Sequence, residues 1–227
     1  DKKNPSLFMN LAIVQFRLGE YRTAEDVILS VLRLDPRNQH AFFLLGETCY
    51  AQDKIPMAIN AWKDTLRLGA YPAASSRLAK AEKESGVHNE LGAMQSAHFI
   101  LRYDRHVSDY LLGEQILFAL ERSYRQLSAS LTSYPPATVT VILYADQDYF
   151  DVTTAPQWSG GLFDGKIRLP VKGLSSITPE ISSVLTHELV HSFVASLSSG
   201  DCPVWFSEGL AQMQEGKSSS SQLRFLG

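Results

Sequence analysis

Apolar residues recur three and four positions apart through the first third of the chain. They then give way to short continuous or alternating runs, and return to helical spacing near the end. The first pattern is that of helices buried along one stripe, the second that of strands. Four amphipathic helices are predicted first, over residues 6–18, 23–34, 39–52 and 56–68. The second pair repeats the first at an offset of 34 residues: Leu11-Ala12 matches Leu45-Gly46, Ala24 matches Ala58, and Ile28 matches Trp62. The small residues let paired helices approach, while Phe16, Leu32 and Trp62 fill the space between them. Asp35-Pro36 ends the first block, because proline cannot continue a helix and restrains the residue before it. Two such blocks are marginal alone, so residues 72–84 are expected to form a capping helix that stops at Gly86.

Periodicity changes after a mixed polar stretch over residues 87–95, which reads as a linker. His98 to Tyr103 reads as a strand. A helix capped by Ser108 is predicted to run to about residue 131, with Leu112, Ile116, Leu120, Tyr124, Leu127 and Leu131 on one stripe. Pro135-Pro136 interrupts it. The β-branched run over 138–144 is expected to be an interior strand, and Asp146-Gln147-Asp148 a solvated turn. A glycine-rich segment, Trp158 to Gly165, precedes Lys166-Ile167-Arg168-Leu169, whose alternation predicts a half-exposed edge strand closed by Pro170. Thr178, Pro179 and Glu180 are cap, first position and first-turn acid of a helix whose buried stripe is Ile181, Leu185, Leu189, Phe193 and Leu197.

A chain of 227 residues has ample material for two domains, here expected over 1–86 and 96–227. With 21 Lys and Arg against 24 Asp and Glu, the net charge of −3 marks no nucleic-acid partner. No apolar run reaches membrane-spanning length. Cys49 and Cys202 do not make a disulfide framework. Because it opens on Asp1, the chain is expected to be a piece of a longer protein. Asp1-Lys2-Lys3-Asn4 also stands 34 residues before Asp35-Pro36-Arg37-Asn38, as if closing an earlier repeat.

Candidate chemistry centres on His187-Glu188-Leu189-Val190-His191. On a helix, residues four apart share a face, so His187 and His191 aim two imidazoles at one point, half of a tetrahedral Zn²⁺ site. Both lie off the buried stripe. The Glu188 carboxylate points beside the metal, where a general base reaches a water without binding the ion. A catalytic zinc needs a third ligand, and Glu208 offers it from a return helix begun by Pro203 and ended by Gly216. Gly209 and Ala211 are expected to let the two helices come close. Cys202 and Asp201 are weaker rivals as ligands, and His98 and His106 lack partners at ligand spacing.

Two resemblances follow. The blocks with Leu-Ala or Leu-Gly, Ala and a closing Asp-Pro resemble the tetratricopeptide repeat, although Gly69-Ala70 stands where the second Asp-Pro would. That likeness implies a groove for a peptide or protein partner, or a spacer. HELVH followed by Trp205-Phe206-Ser207-Glu208-Gly209-Leu210-Ala211-Gln212 resembles the gluzincin metallopeptidases, in particular peptidase-MA-like domains. This implies an α+β chain: helical hairpins, then a zincin-like domain with a small mixed sheet, an active-site helix and a glutamate helix. It implies His187, His191 and Glu208 as zinc ligands, Glu188 as general base and proton shuttle, and a peptide or protein substrate. Gln212 stands where thermolysin-like gluzincins place an Asp that buttresses a ligand histidine. Gly165, Lys166, Ile167 and Arg168 are the candidate substrate-binding edge, with an ordinary protected hairpin as the alternative. No His or Tyr follows Glu208 to stabilise an oxyanion, and the Lys217-Ser218-Ser219-Ser220-Ser221 stretch reads as flexible. The expected function is zinc-dependent peptide hydrolysis. The alternatives are an inactive adaptor with a zinc-stabilised fold and, more weakly, a hydrolase acting on a non-protein amide. The family resemblance favours a periplasmic or extracellular setting.

Overall fold

A computed structural model describes residues 4–88, 91–104, 110–135, 138–144, 146–153, 160–171, 174–198 and 201–215. His106, Ser108, Pro136, Trp158, Ser159, Gly216 and residues 217–221, all invoked above, lie outside them. The chain is mixed α and β and divides into two compact units, Asp1–Leu91 and Gly92–Gly227.

The first unit consists of helices α1 (Pro5–Arg17), α2 (Tyr21–Leu34), α3 (Gln39–Ala51), α4 (Ile55–Leu68) and α5 (Pro72–His88). Every boundary of α1 and α2 recurs 34 residues later in α3 and α4. Asn4 and Asn38, also 34 apart, cap α1 and α3 by accepting from the backbone N–H of Ser6 and Ala41. Ile28 and Trp62 occupy the same place in the two hairpins and are both fully buried. Their partners differ to match. Ala12 is accommodated opposite Ile28, whereas a Cβ on Gly46 would lie 2.3 Å from the Trp62 indole nitrogen. The larger aromatic thus requires the glycine.

The linker expected over 87–95 is shorter than the sequence suggested. Helix α5 continues past Gly86 to His88, and strand β1 already occupies Leu91–Gln95. A cost of about 1 kcal/mol for one glycine is too small to end a helix held by packing along the rest of its length, and Ala74 and Ala81 of α5 are fully buried.

The second unit continues with β2 (Phe99–Asp104), α6 (Tyr110–Leu131), β3 (Val139–Tyr144), α7 (Asp146–Thr153), β4 (Leu162–Phe163), β5 (Ile167–Pro170), α8 (Pro179–Ser198) and α9 (Val204–Gln214). The sheet order is β1-β2-β3-β5-β4, with β2, β3 and β5 parallel and β4 antiparallel to β5. Alternate residues share a face. Phe99, Leu101, Val141, Leu143, Ile167 and Leu169 join one core with the buried stripes of α6 and α8. Tyr144 and Arg168 belong to the other face, and α7 packs on β3 and β5. β3 is buried at all six positions, as expected of an interior strand covered on both sides.

Two expectations fail here. Asp146-Gln147-Asp148 opens helix α7 and is not a turn. Residues 166–169 are not an edge strand: β5 lies between β3 and β4, and Lys166, Ile167 and Arg168 are almost completely buried. Charge alternation normally marks a solvent face, but these two cations are buried where the fold gives them partners. The edge strand on this side of the sheet is β4, with β1 at the other edge.

Candidate metal centre

Helix α8 starts as its sequence dictates: the Thr178 hydroxyl accepts from the Ile181 N–H, and Pro179 occupies the first position. Leu185, Leu189 and Phe193 are buried, which turns His187 and His191 toward a cleft, half-buried, with ring centroids 4.8 Å apart. Leu197 ends the predicted stripe but is 56% exposed. Helix α9 returns alongside α8, begun by Pro203 as its N-cap. Ala211 is fully buried between them, but Gly209 faces open space, so it has no part in their close approach.

His187, His191 and Glu208 form a group able to hold a metal ion, with one donor atom from each and all three within 4.8 Å of one another. Among the described residues, neither Cys202 nor Asp201 joins such a group. The Nε2 atoms of His187 and His191 lie 3.4 Å and 3.5 Å from the Glu208 carboxylate oxygens. These two distances, each to a different carboxylate oxygen, are close to the ~3.4 Å edge of a tetrahedral site with bonds of ~2.0–2.1 Å, and the N, N, O donor set is one that Zn²⁺ accepts.

The far nitrogens are fixed as well. His191 Nδ1 lies 2.8 Å from the Ser207 hydroxyl, and His187 Nδ1 pairs with the Glu215 carboxylate, which is almost fully buried. An acceptor at Nδ1 favours the tautomer that leaves the Nε2 lone pair free for a metal. Glu215, and not Gln212, lies against His187 Nδ1; Gln212 lines the cleft with an exposed side chain. The reason is helical. Seven residues after Glu208 the helix has turned to within about 20° of the same direction, so Glu215 follows Glu208 on one face. That spacing was available in the sequence.

Glu188 is buried against the glycine-rich segment, and a Cβ on Gly161 would stand 3.3 Å from its Oε1. Burial, then the charges of Glu208, Glu215 and Asp164, push its carboxyl up to about 7 against a backbone hydrogen bond from Phe163. Burial and neighbouring His187 lower the pKa of His191, against the pull of Glu208, which favours the neutral imidazole that a metal requires. Three carboxylates around two imidazoles form a field that a divalent cation relieves. The cleft holds about 710 Å³ and is walled by Gly160, Gly161, Val184, Val194, Val204 and the residues just described. The candidate substrate-binding residues Gly165, Lys166, Ile167 and Arg168 are all absent from its described lining, which instead includes Leu162 and Phe163 of β4. Gly165 serves the turn, with φ +98°. His98 stands apart, paired with Glu121 and stacked on Tyr124.

No protein-family model matches this chain, and no curated protein or solved structure matches it.

Proposed function

We propose that the second unit is a zinc metallopeptidase of the gluzincin type, and that the first is a pair of tetratricopeptide-type hairpins closed by α5, serving a protein partner or substrate. The observation that carries this reading is the cluster of His187, His191 and Glu208, with donor atoms all within 4.8 Å of one another and a buried carboxylate, Glu188, on the same helix turn. The 34-residue recurrence of helix boundaries supports the repeat assignment.

His187, His191 and Glu208 would hold Zn²⁺, which would supply Lewis acidity toward a water and a carbonyl. Glu188 would accept a proton from the attacking water and deliver it to the leaving amine. Glu215 and Ser207 keep both imidazoles oriented throughout. In this reading the peptide main chain enters along β4, the edge strand that lines the cleft. Asp164 N–H donates to Lys166 C=O, so bonded pairs in this antiparallel ladder alternate away from Phe163–Ile167, and the Phe163 peptide faces outward.

One observation favours the rival reading of a non-catalytic adaptor with a metal-stapled fold. Among the described residues lining the cleft there is no Tyr, Lys or Arg to stabilise an oxyanion; the Ser198 and Ser207 hydroxyls and the Gln212 amide are the side-chain donors besides the ligand histidines. Loss of one oxyanion donor costs roughly 10²–10³-fold in rate. The test is cleavage of a broad peptide library by the zinc-loaded chain and by Glu188→Gln. Cleavage by the wild type alone supports the peptidase. Equal cleavage by both removes Glu188 from the mechanism, and absence of cleavage with stoichiometric zinc favours the adaptor.

A further inference from the structure

Arg168 is fully buried, yet the hydrolytic reading gives it no part. A guanidinium withdrawn from water is retained where its hydrogen bonds are made in one fixed geometry. Its Nε donates to both oxygens of Asp164 at 3.1 Å and 3.0 Å, and its Nη1 donates to the Tyr144 hydroxyl at 2.5 Å. The pair therefore spans the Gly165 turn and ties the β4–β5 hairpin to β3.

The outer strand of that hairpin is short. β4 is two residues long and both are half-buried. Its outer edge nonetheless lies against Glu188. Gly161, just before β4, approaches so closely that a Cβ there would be 3.2 Å from Glu188 Cγ, and the outward-facing Phe163 amide opposes the rise in the Glu188 pKa. Phe163 directly precedes Asp164, so a shift of the Asp164 anchor moves the Phe163 peptide with it.

We propose that the Arg168–Asp164 ion pair positions Glu188, holding the β4 edge so that the Phe163 amide and Gly161 fix the orientation of the carboxylate. This rests on the hydrolytic reading above. Arg168 and Asp164 are positioning residues: they act through the hairpin and touch no reacting atom. They belong to the opposite face of the sheet from the core that carries α8 and are not among the candidate ligands, so zinc affinity is expected to change little when they are replaced.

The test compares Asp164→Asn, which keeps shape and removes charge, with Asp164→Glu, which restores the carboxylate, in the full zinc-loaded chain. For Asp164→Asn the expected result is zinc affinity within about twofold of wild type, with kcat lower by about 10²-fold and KM nearly unchanged, as for a misplaced catalytic group. Amide hydrogen exchange at Phe163 should accelerate relative to Leu143 in β3, and Asp164→Glu should recover part of both effects. Arg168→Lys, which keeps the charge but loses the fork, is the second variant should Asp164→Asn not fold. Wild-type kcat and wild-type Phe163 exchange in these variants overturn the proposal. So does a kcat loss accompanied by uniform acceleration across the sheet, which marks a structural role only. If the wild type cleaves nothing, the hydrolytic reading fails, and the Phe163 exchange, measured also in Glu188→Gln, still decides whether the ion pair holds this edge on Glu188.

Discussion

The Nδ1 of His187 lies against the carboxylate of Glu215, seven residues after Glu208, the third candidate ligand. Helix α9 thus carries one candidate ligand, and its C-cap residue meets another.

Glu215→Gln is expected to weaken zinc binding by about 10–100-fold, the usual cost of removing a carboxylate behind a ligand histidine, and Gln212→Ala to leave it nearly unchanged. Competition titration against a chromogenic chelator measures both. Equal effects of the two substitutions would return the buttress to Gln212.

Gly161→Ala places a methyl 2.7 Å from Val184 Cγ1 and 3.2 Å from Glu188 Cγ, both on α8. Overpacking of this kind costs about 1–3 kcal/mol. Because the intruding methyl bears on Glu188, turnover should fall further than the melting temperature alone accounts for. Adding Val184→Ala makes room and should recover stability; a double variant no more stable than Gly161→Ala would show that the strain lies elsewhere.

Gly46→Ala should destabilise the first unit by about 1–3 kcal/mol through its clash with Trp62. The first hairpin already contains the compatible pair, Ala12 with Ile28. Gly46→Ala combined with Trp62→Ile should therefore cost less than the sum of the two single changes, giving a favourable coupling in a double-mutant cycle by urea unfolding. Strict additivity would remove the packing explanation.

Burial of Glu25 opposes its charge, but the side-chain hydrogen bonds from Lys54 and Gln52, at 2.6 Å and 2.7 Å, outweigh this and lower its pKa. A carboxyl depressed on folding contributes stability that is fully present above its unfolded pKa of ~4.3 and is lost as pH falls through the folded value. Glu25→Gln should flatten that part of the acid limb while leaving the dependence above pH ~5 unchanged. Urea midpoints measured across the acid range read this directly, and an unaltered acid limb would contradict it.

Much of the molecule was legible in the chain, and for local reasons. Helix α8 is set by Thr178, Pro179 and a 3.6-residue stripe, so the i, i+4 imidazoles of His187 and His191 follow from helical geometry alone. The 34-residue recurrence placed four helices to within a few residues, because helical periodicity and the Asp-Pro stop act within one or two turns. Glu208 was reachable because one short loop and one return helix leave few places for a third donor. Strand rank in the sheet was not legible. Lys166 and Arg168 alternate with apolar neighbours as a solvent-facing edge would, and only the addition of β4 outside β5 buries them. Gly209 looked like a helix-contact residue, and Gln212 like the orienting group, until the rotation of α9 turned the first to open space and brought Glu215 onto His187. Spacing along a helix specifies which residues share a face; which face meets a neighbour is decided by long-range packing, and that packing placed Phe163, Asp164 and Arg168 beside or behind Glu188.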